Sequence, residues 1–251
     1  MKILKTLFIL LLFVAAVPSQ GQTADEIINN YLENIGGADA LNNIESVKMT
    51  ASANAQGMEI PVTILQEKGG NQLIKINFQG QEIVQLAFDG ETMWGTNFMT
   101  QEAEKMDSEQ TENMKRNANL FPDPFLNYKD NGYSVEYMGE ETKEGTETYK
   151  IKLTMNPQLA DGKEVPNVVF YYFEKENFVP IMSESEIPSG PTAGQMSVNT
   201  MSDYQEVDGI YFPFDMGIGG QSITIESIEI NPEIDKSVFA FPATEDTDDN
   251  D

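Results

Sequence analysis

Apolar residues recur at two spacings along the chain, and the helical spacing comes first. The stretch from Thr23 to Glu26 has the pattern of a capping box, in which two side chains satisfy each other's backbone amides. Apolar residues then recur three and four positions apart as far as Ile35, where a Gly-Gly pair interrupts them. The pattern predicts one amphipathic helix, followed by a short helical turn over residues 38–42.

From Ser46 the spacing changes to two, which is the period of a strand with one buried face. The segment from Tyr149 to Met155 alternates most cleanly. Turn pairs such as Asp89-Gly90 and Asp208-Gly209 separate the runs and allow the positive φ that tight hairpins need. Because roughly ten such runs follow one another directly, an antiparallel sheet is expected.

The alternation changes phase near the end of the chain. Ile223 and Ile225 share one phase, whereas Ile228 and Ile230 share the other. A regular strand cannot place all four side chains on one face, so the pattern predicts a β-bulge or bend near Glu226–Ser227.

Two further segments depart from simple alternation. Asp107–Leu120 has helical spacing, with Ser108 as the expected N-cap and Pro122 and Pro124 just beyond its end. Residues 168–173 are apolar at every position, which predicts a strand that is covered on both faces.

These elements predict a mainly β (α+β) fold, in which a curved antiparallel sheet forms an incomplete β-barrel with a few covering helices. The first 21 residues have a basic start, an apolar run from Leu7 to Val17 and a break at Pro18, as in a secretory signal peptide. An uncleaved N-terminal anchor is the alternative. We therefore expect a signal peptide over 1–21, one domain over 22–242 and a disordered acidic tail over 243–251, in a protein exported to the periplasm or the extracellular space.

Composition excludes several kinds of chemistry. The chain has 251 residues with 15 Lys and Arg, 41 Asp and Glu, no His and no Cys, for a net charge of −26. Imidazole bases, thiolate nucleophiles, disulfides and His- or Cys-ligated metals are therefore impossible. So acidic a protein is not expected to bind nucleic acid or an anionic membrane surface. We expect no cofactor, no metal and no integral membrane segment.

An incomplete barrel has a concave face that can hold an apolar ligand. The inward positions of the early strands are the candidate cavity lining, with Trp94 expected near the mouth in a loop and the helix that follows acting as a lid. The candidate lipid-binding residues are Ile60, Val62, Ile64, Ile74, Ile76, Phe78, Val84, Leu86, Phe88 and Trp94. The candidate lid residues are Met106, Met114 and Leu120. Each of these is also accounted for by an ordinary hydrophobic core.

Several stretches, in this order and spacing, resemble the LolA-like family of outer-membrane lipoprotein-sorting proteins. They are TADEIINNYLENIGGADALNNIESVKMTASA, QGMEIPVTILQEKG and IKINFQGQEIVQLAFDGETMW, followed by DYQEVDGIYFPF and ITIESIEINPEIDKSVF. The resemblance runs from about Thr23 to Phe239. It implies a LolA/LolB-like half-barrel with helices as a lid and a periplasmic carrier that shields lipoprotein acyl chains. The carrier proper has an early-strand Arg that helps set ligand release, whereas Ser46–Phe88 contains only lysines as basic residues.

Three functions remain open from the sequence. The first is a non-enzymatic carrier, expected to be a monomer, for lipid acyl chains or lipoproteins. The second is an envelope-associated module of the same fold that binds or assembles other proteins and has no lipid cargo. The third is a carboxylate-based hydrolase, for which Asp89 and Asp208 are the candidate acids. Both acids precede Gly, so a role in hairpin turns explains them better, and no catalytic residue is predicted.

Overall fold

The computed structural model describes residues 22–55 and 57–242. The predicted signal peptide and acidic tail lie outside the described residues. The helices are α1 (Ala24–Asn34), α2 (Ala38–Asn42) and α3 (Ser108–Arg116), with 3-10 turns at Ala118–Leu120 and Lys236–Phe239. The strands are β1 (Ser46–Ala55), β2 (Met58–Glu67), β3 (Gln72–Phe78), β4 (Gln81–Phe88), β5 (Met93–Thr96), β6 (Ala103–Lys105), β7 (Ser134–Lys143), β8 (Thr146–Ala160), β9 (Lys163–Glu174), β10 (Pro180–Glu186), β11 (Met196–Val207), β12 (Ile210–Ile218) and β13 (Gln221–Ile230).

All the strands described here belong to one antiparallel sheet, and it is open. Their order across the sheet is β6-β5-β4-β3-β2-β1-β13-β12-β11-β10-β9-β8-β7, so β6 and β7 are its two edges. The predicted incomplete antiparallel barrel is confirmed. The expected strand number is too low because β5 and β6 are three or four residues long, which is too short for alternation to show.

The concave face of the sheet is filled by α1 and by the irregular segment after α3. Thr23 caps α1 with the predicted capping box, and the apolar side of the helix is buried against the sheet. The ring of Phe125 lies edge-on to Tyr31 of α1 and to Phe173 of β9, with centroid distances of 6.0 and 5.4 Å. This contact links helix, segment and sheet in one main core.

Bulges in β13 and β4 change which side chains of these strands face that core. Thr50 of β1 pairs with Ser227, but Ala51 pairs with Ile225, so Glu226 is the extra residue and the bulge predicted there is confirmed. A second bulge lies in β4. There Ile74 pairs with Leu86 and Lys75 pairs with Val84, which leaves Gln85 without a partner in the ladder.

Helix α3 bridges distant parts of the open sheet. Its N-cap is Asp107, which accepts a hydrogen bond from the amide of Gln110 at 2.8 Å, and not the predicted Ser108. A preceding carboxylate can cap the helix equally well, so the two positions cannot be ranked from sequence. Asn113 exchanges hydrogen bonds of 2.9 and 2.7 Å with the backbone of Leu159 in β8. On the other side, Lys115 forms an ion pair with Glu91, just before β5.

The outer face of the sheet carries a smaller apolar cluster and a polar network. In the cluster, the Trp94 indole donates a hydrogen bond of 2.8 Å to the carbonyl of Phe239. In the network, Glu184 accepts hydrogen bonds from Lys143 at 2.9 Å and from Tyr172 at 2.6 Å. Burial alone would raise the pKa of Glu184, but these two donors outweigh it and the pKa is lowered.

The strand over residues 168–173 is covered on both faces only near its end. Tyr172 and Phe173 are buried on opposite faces, as predicted. Val168 and Phe170 are half-buried and line a depression of about 450 Å3 on the outer face. No helix within the described residues is long and apolar enough to cross a membrane.

Candidate functional site

Two adjoining cavities lie on the concave side of the sheet, towards the end where α1 finishes. The inner cavity has a volume of about 250 Å3, and the wider groove beside it has a volume of about 730 Å3. Met201, Tyr204 and Tyr211 belong to the walls of both. The two spaces therefore meet at these three side chains and can act as one site with an inner and an outer part.

The inner cavity is mainly apolar. It lies between α1, the segment that follows α3, and the strands β1, β10, β11 and β12. Its apolar walls include Ile35, Leu41, Val47, Met49, Phe121, Met201, Ile210 and Phe212. Such a lining suits hydrocarbon, because burying it here removes apolar surface from water without leaving a polar group unpaired.

One carboxyl group, the Gln66 amide and four tyrosines, Tyr211 among them, interrupt the apolar lining. The Tyr31 hydroxyl donates a hydrogen bond of 2.5 Å to Asp123 Oδ2, and the amide of Phe125 donates one of 2.8 Å to Oδ1. Burial raises the pKa of Asp123 above its usual range, although both donors act against this. Tyr171 and Tyr204 also line this cavity, and burial is the main cause of the raised pKa of each phenol, with Asp123 adding to it.

The outer groove is more polar and carries negative charge. Its carboxylates are Glu174 and Glu176, at the turn between β9 and β10, and Asp203 of β11. Among the described residues that line either space, none is Lys or Arg. Lys175 lies between two of these acids in sequence, but its Nζ pairs with Glu140 Oε2 at 2.7 Å and so faces away.

A kink in β11 positions side chains that line both the inner cavity and the outer groove. Met201 and Tyr204 both line the inner cavity although they are three residues apart and neither residue between them does, whereas a regular strand brings every second side chain to one face. Between them, Asp203 has a φ of 52°, in the left-handed region that Asp tolerates better than most residues. The Tyr204 hydroxyl then donates a hydrogen bond of 2.7 Å to the carbonyl of Pro180, which fixes the ring at the junction of the two spaces.

Most of the candidate lining residues from the early strands lie on the concave face. Val62 and Ile76 are buried in the main core, and half-buried side chains pack against it. Leu86 and Phe88 share that face, because they pair with Ile74 and Gln72. None of these side chains lines the two cavities, which lie further along the sheet. The half-buried residues are Ile60, Ile64, Ile74 and Phe78.

Val84 and Trp94 are not brought together with the other candidates. The bulge at Gln85 turns Val84 to the outer face of the sheet, so that Ile83 occupies the position in the main core. Trp94 is buried in the outer cluster, beneath the chain near Phe239, and not at a mouth of the concave face. Its fluorescence therefore reports on the outer cluster.

The three candidate lid residues are separated from one another. Met106 packs over Gly95 of β5, where a Cβ built on that glycine would lie 3.2 Å from the Met106 methyl group. Met114 of α3 and Leu120 line a small depression of about 280 Å3, and Leu120 also packs against the main core. Whether they move as a lid remains a prediction.

The residues that define the cavities were not singled out from the sequence. Tyr31 carries a helical core signal, but nothing shows that its hydroxyl faces a cavity. Asp123 lies between two prolines and reads as a turn residue. Tyr204 and Tyr211 flank a hairpin turn, so only the assembled sheet brings them to the end of α1.

The opposite end of the sheet has an apolar rim made of side chains on hairpin tips and on the strand ends beside them. The tip of β12–β13 lies beside that of β1–β2, because Ser222 pairs with Asn54. Phe98 and Met99 project from the tip of β5–β6, with 54% and 94% of their surface exposed. The apolar rim consists of Met58, Phe98, Met99, Met196, Val198 and Ile218.

Among the described residues, no group of three or more acidic side chains has a geometry that could hold a metal ion. The sequence matches no protein-family model and no curated protein. Solved structures do match. A LolA superfamily protein from Nitrosomonas europaea has 14% sequence identity and a TM-score of 0.52, over 88% of this chain and 98% of that chain. A DUF1329 family protein from Desulfovibrio piger has 13% identity and a TM-score of 0.52, over 86% and 97%. The predicted resemblance thus holds in three dimensions: this chain has the open β-barrel fold of LolA-like proteins.

Proposed function

We propose that this protein is a non-enzymatic carrier that binds a lipid acyl chain, or the acyl chain of a lipoprotein, in the cell envelope. The observation that carries the proposal is the apolar inner cavity, which opens through Tyr204 and Tyr211 to the larger groove. Hydrocarbon needs a dry enclosure more than reacting groups. The predicted signal peptide would place such a carrier in the periplasm.

The size of the inner cavity sets an expected affinity. If a methylene group takes about 30 Å3, close to the volume of a water molecule in the liquid, the cavity holds about eight of them. Burying each contributes ~0.8 kcal/mol, so the expected gain is about 6 kcal/mol. Association itself costs free energy, so this gain sets an upper limit: the inner cavity alone should give a dissociation constant no tighter than tens of micromolar, and a longer chain that enters the groove would bind more tightly.

Displacement of a fluorescent acyl probe tests this proposal. Met49→Trp adds bulk to a half-buried side chain of the cavity wall and should weaken probe binding at least tenfold. Val198→Trp adds comparable bulk on the exposed outer face and should leave binding unchanged. Mass spectrometry of the purified protein should find a copurifying lipid. Equal binding by both variants would show that the probe lies elsewhere.

The apolar rim favours a second candidate, an envelope module that binds another protein. Exposed apolar side chains at neighbouring hairpin tips are typical of an interaction surface. In this case Phe98→Ser together with Met99→Ser should abolish capture of a stoichiometric envelope partner, whereas Val238→Ser, an exposed apolar residue elsewhere, should not. Acyl-probe binding would be absent in all forms.

A further inference from the structure

We propose that the cargo carries a positively charged nitrogen, as an amine or a quaternary ammonium group, and that this head group binds in the outer groove while the hydrocarbon enters the inner cavity. The inference rests on the proposed carrier function and adds the chemical class of the cargo. It excludes amphiphiles whose head group is a free carboxylate, sulfate or phosphate.

The first support is the distribution of polarity between the two joined spaces. The inner walls are mainly apolar, and their one carboxyl group, Asp123, already accepts hydrogen bonds from Tyr31 and from the Phe125 amide, whereas Glu174, Glu176 and Asp203 are in the groove. An amphiphile bound across the junction would keep its tail dry and place its head among these three carboxylates. The reverse orientation would leave a charged head group in the apolar part of the site.

The second support is the sign of the charge. No Lys or Arg is among the described residues that line the two spaces, and Lys175 is held away by Glu140. An anionic head group would therefore meet three like charges with no cation to offset them. A cation there gains one favourable interaction with each carboxylate.

The third support is the aromatic wall. Tyr204 and Tyr211 stand where the groove meets the inner cavity, and Tyr31 and Tyr171 lie further inside. The faces of aromatic rings attract ammonium groups, and a site that combines such rings with carboxylates is a common way to bind quaternary nitrogen. The left-handed residue Asp203 holds Tyr204 at this junction and contributes a carboxylate from the same turn of chain.

The test uses three amphiphiles with the same twelve-carbon tail but different heads: dodecyltrimethylammonium, dodecanol and dodecyl sulfate. Each is titrated below its micelle concentration against the mature protein with a neutral fluorescent acyl probe bound. Measurements at about 0.15 M salt screen the general negative field of the protein. We expect the ammonium compound to displace the probe at a concentration at least tenfold below that of the sulfate, with the alcohol between them.

Two variants separate the groove from the net charge. Glu176→Gln combined with Asp203→Asn neutralises two exposed acids of the groove and should reduce the preference for ammonium over sulfate about fivefold. Asp161→Asn combined with Glu226→Gln neutralises two exposed acids away from the groove and should leave the preference unchanged. In both variants Asn replaces an Asp whose φ is close to 52°, a conformation that Asn accepts.

The results separate this inference from the carrier function. If the probe binds but sulfate displaces it as well as ammonium does, the head-group assignment is overturned and the carrier function stands. The same holds if the control variant loses as much preference as the groove variant. If neither the probe nor any of the three amphiphiles binds, the carrier function itself is overturned, and the head-group assignment with it.

Discussion

Replacing Tyr31 by Phe tests whether the polar contact at the end of α1 fixes the irregular segment after α3, which contains Asp123, against the concave face of the sheet. The Tyr31 hydroxyl donates a hydrogen bond of 2.5 Å to Asp123, in the segment that fills the concave face. The substitution keeps the ring, so the packing against Phe125 and Phe173 remains. What is lost is a donor to a carboxylate in largely apolar surroundings.

The magnitude follows from the chemistry of that contact. A hydrogen bond to a charged group contributes about 1.5–3 kcal/mol, and an acceptor left without its partner keeps its full desolvation cost. We expect Tyr31→Phe to lower the free energy of unfolding by about 2 kcal/mol at pH 7. For a urea slope of about 2–3 kcal/mol/M, the midpoint would fall by close to 1 M with the slope unchanged.

The dependence on pH gives a second check. Burial raises the pKa of Asp123 in the folded state, so the folded protein holds this proton more tightly than the unfolded chain. Ionisation of Asp123 therefore reduces stability as the pH rises from the unfolded pKa to the folded one. Tyr31→Phe removes a donor that favours the carboxylate, so its cost should be larger at pH 7 than at a pH where Asp123 is protonated.

Urea unfolding followed by circular dichroism measures both effects. Tyr211→Phe is the matched control, because the Tyr211 hydroxyl lies 3.4 Å from Glu206 at the exposed surface. Its removal should change the free energy of unfolding by less than about 0.5 kcal/mol. If Tyr31→Phe lowers the free energy of unfolding no more than this control does, or lowers it equally at both pH values, the contact with Asp123 does not fix the segment after α3.

Three further substitutions test other parts of the fold, each by urea unfolding. Gly36→Ala should lower the free energy of unfolding by about 2–4 kcal/mol, because Gly36 has a φ of +129° and a Cβ there would lie 2.7 Å from the carbonyl oxygen of Gly209. Gly37→Ala should lower it clearly less, because Gly37 has a φ of +91° but a Cβ there would have nothing within 4 Å. Glu184→Gln should cost about 1–2 kcal/mol at pH 7, and this cost should shrink as the pH falls through the lowered pKa of Glu184, since a protonated Glu no longer pairs with Lys143. Ile83→Ala should cost about 2–5 kcal/mol and Val84→Ala about 1 kcal/mol, and the reverse order would show that β4 has no bulge at Gln85.

The sequence was sufficient for those parts of the fold that depend on neighbours along the chain. The capping box at Thr23 and Glu26 acts over three residues, and the four isoleucines around Glu226 change phase within one strand. A capped helix and a bulge are local consequences of such patterns. The bulge at Gln85 was not visible, because Val84, Leu86 and Phe88 alternate regularly in one phase, and only the pairing with β3 shows that Ile83 takes the place of Val84 on the concave face.

The candidate site could not be predicted in the same way, for a physical reason. Alternation along a strand shows which side chains share one face of the sheet. It does not show whether another element packs against that face or leaves a cavity beside it. Val62 and Ile76 are on the predicted face, yet they are packed in the main hydrophobic core and do not line a cavity. The cavities lie instead where covering is incomplete, at the end of α1, and they are lined by Tyr204 and Tyr211, which follow the last residue of that helix by 170 and 177 positions in sequence.

The proposed function depends on incomplete packing at one end of a barrel that is otherwise filled by side chains. A side chain missing from a core costs stability, roughly in proportion to the volume left empty. The inner cavity has about 250 Å3, and its walls are held open by fixed contacts: the Tyr204 hydrogen bond to Pro180 and the kink at Asp203. A strand without that kink would turn Tyr204 away from the cavity. The conformation that opens the space therefore also supplies a carboxylate beside it, which links the shape of the site to the positively charged cargo that we propose.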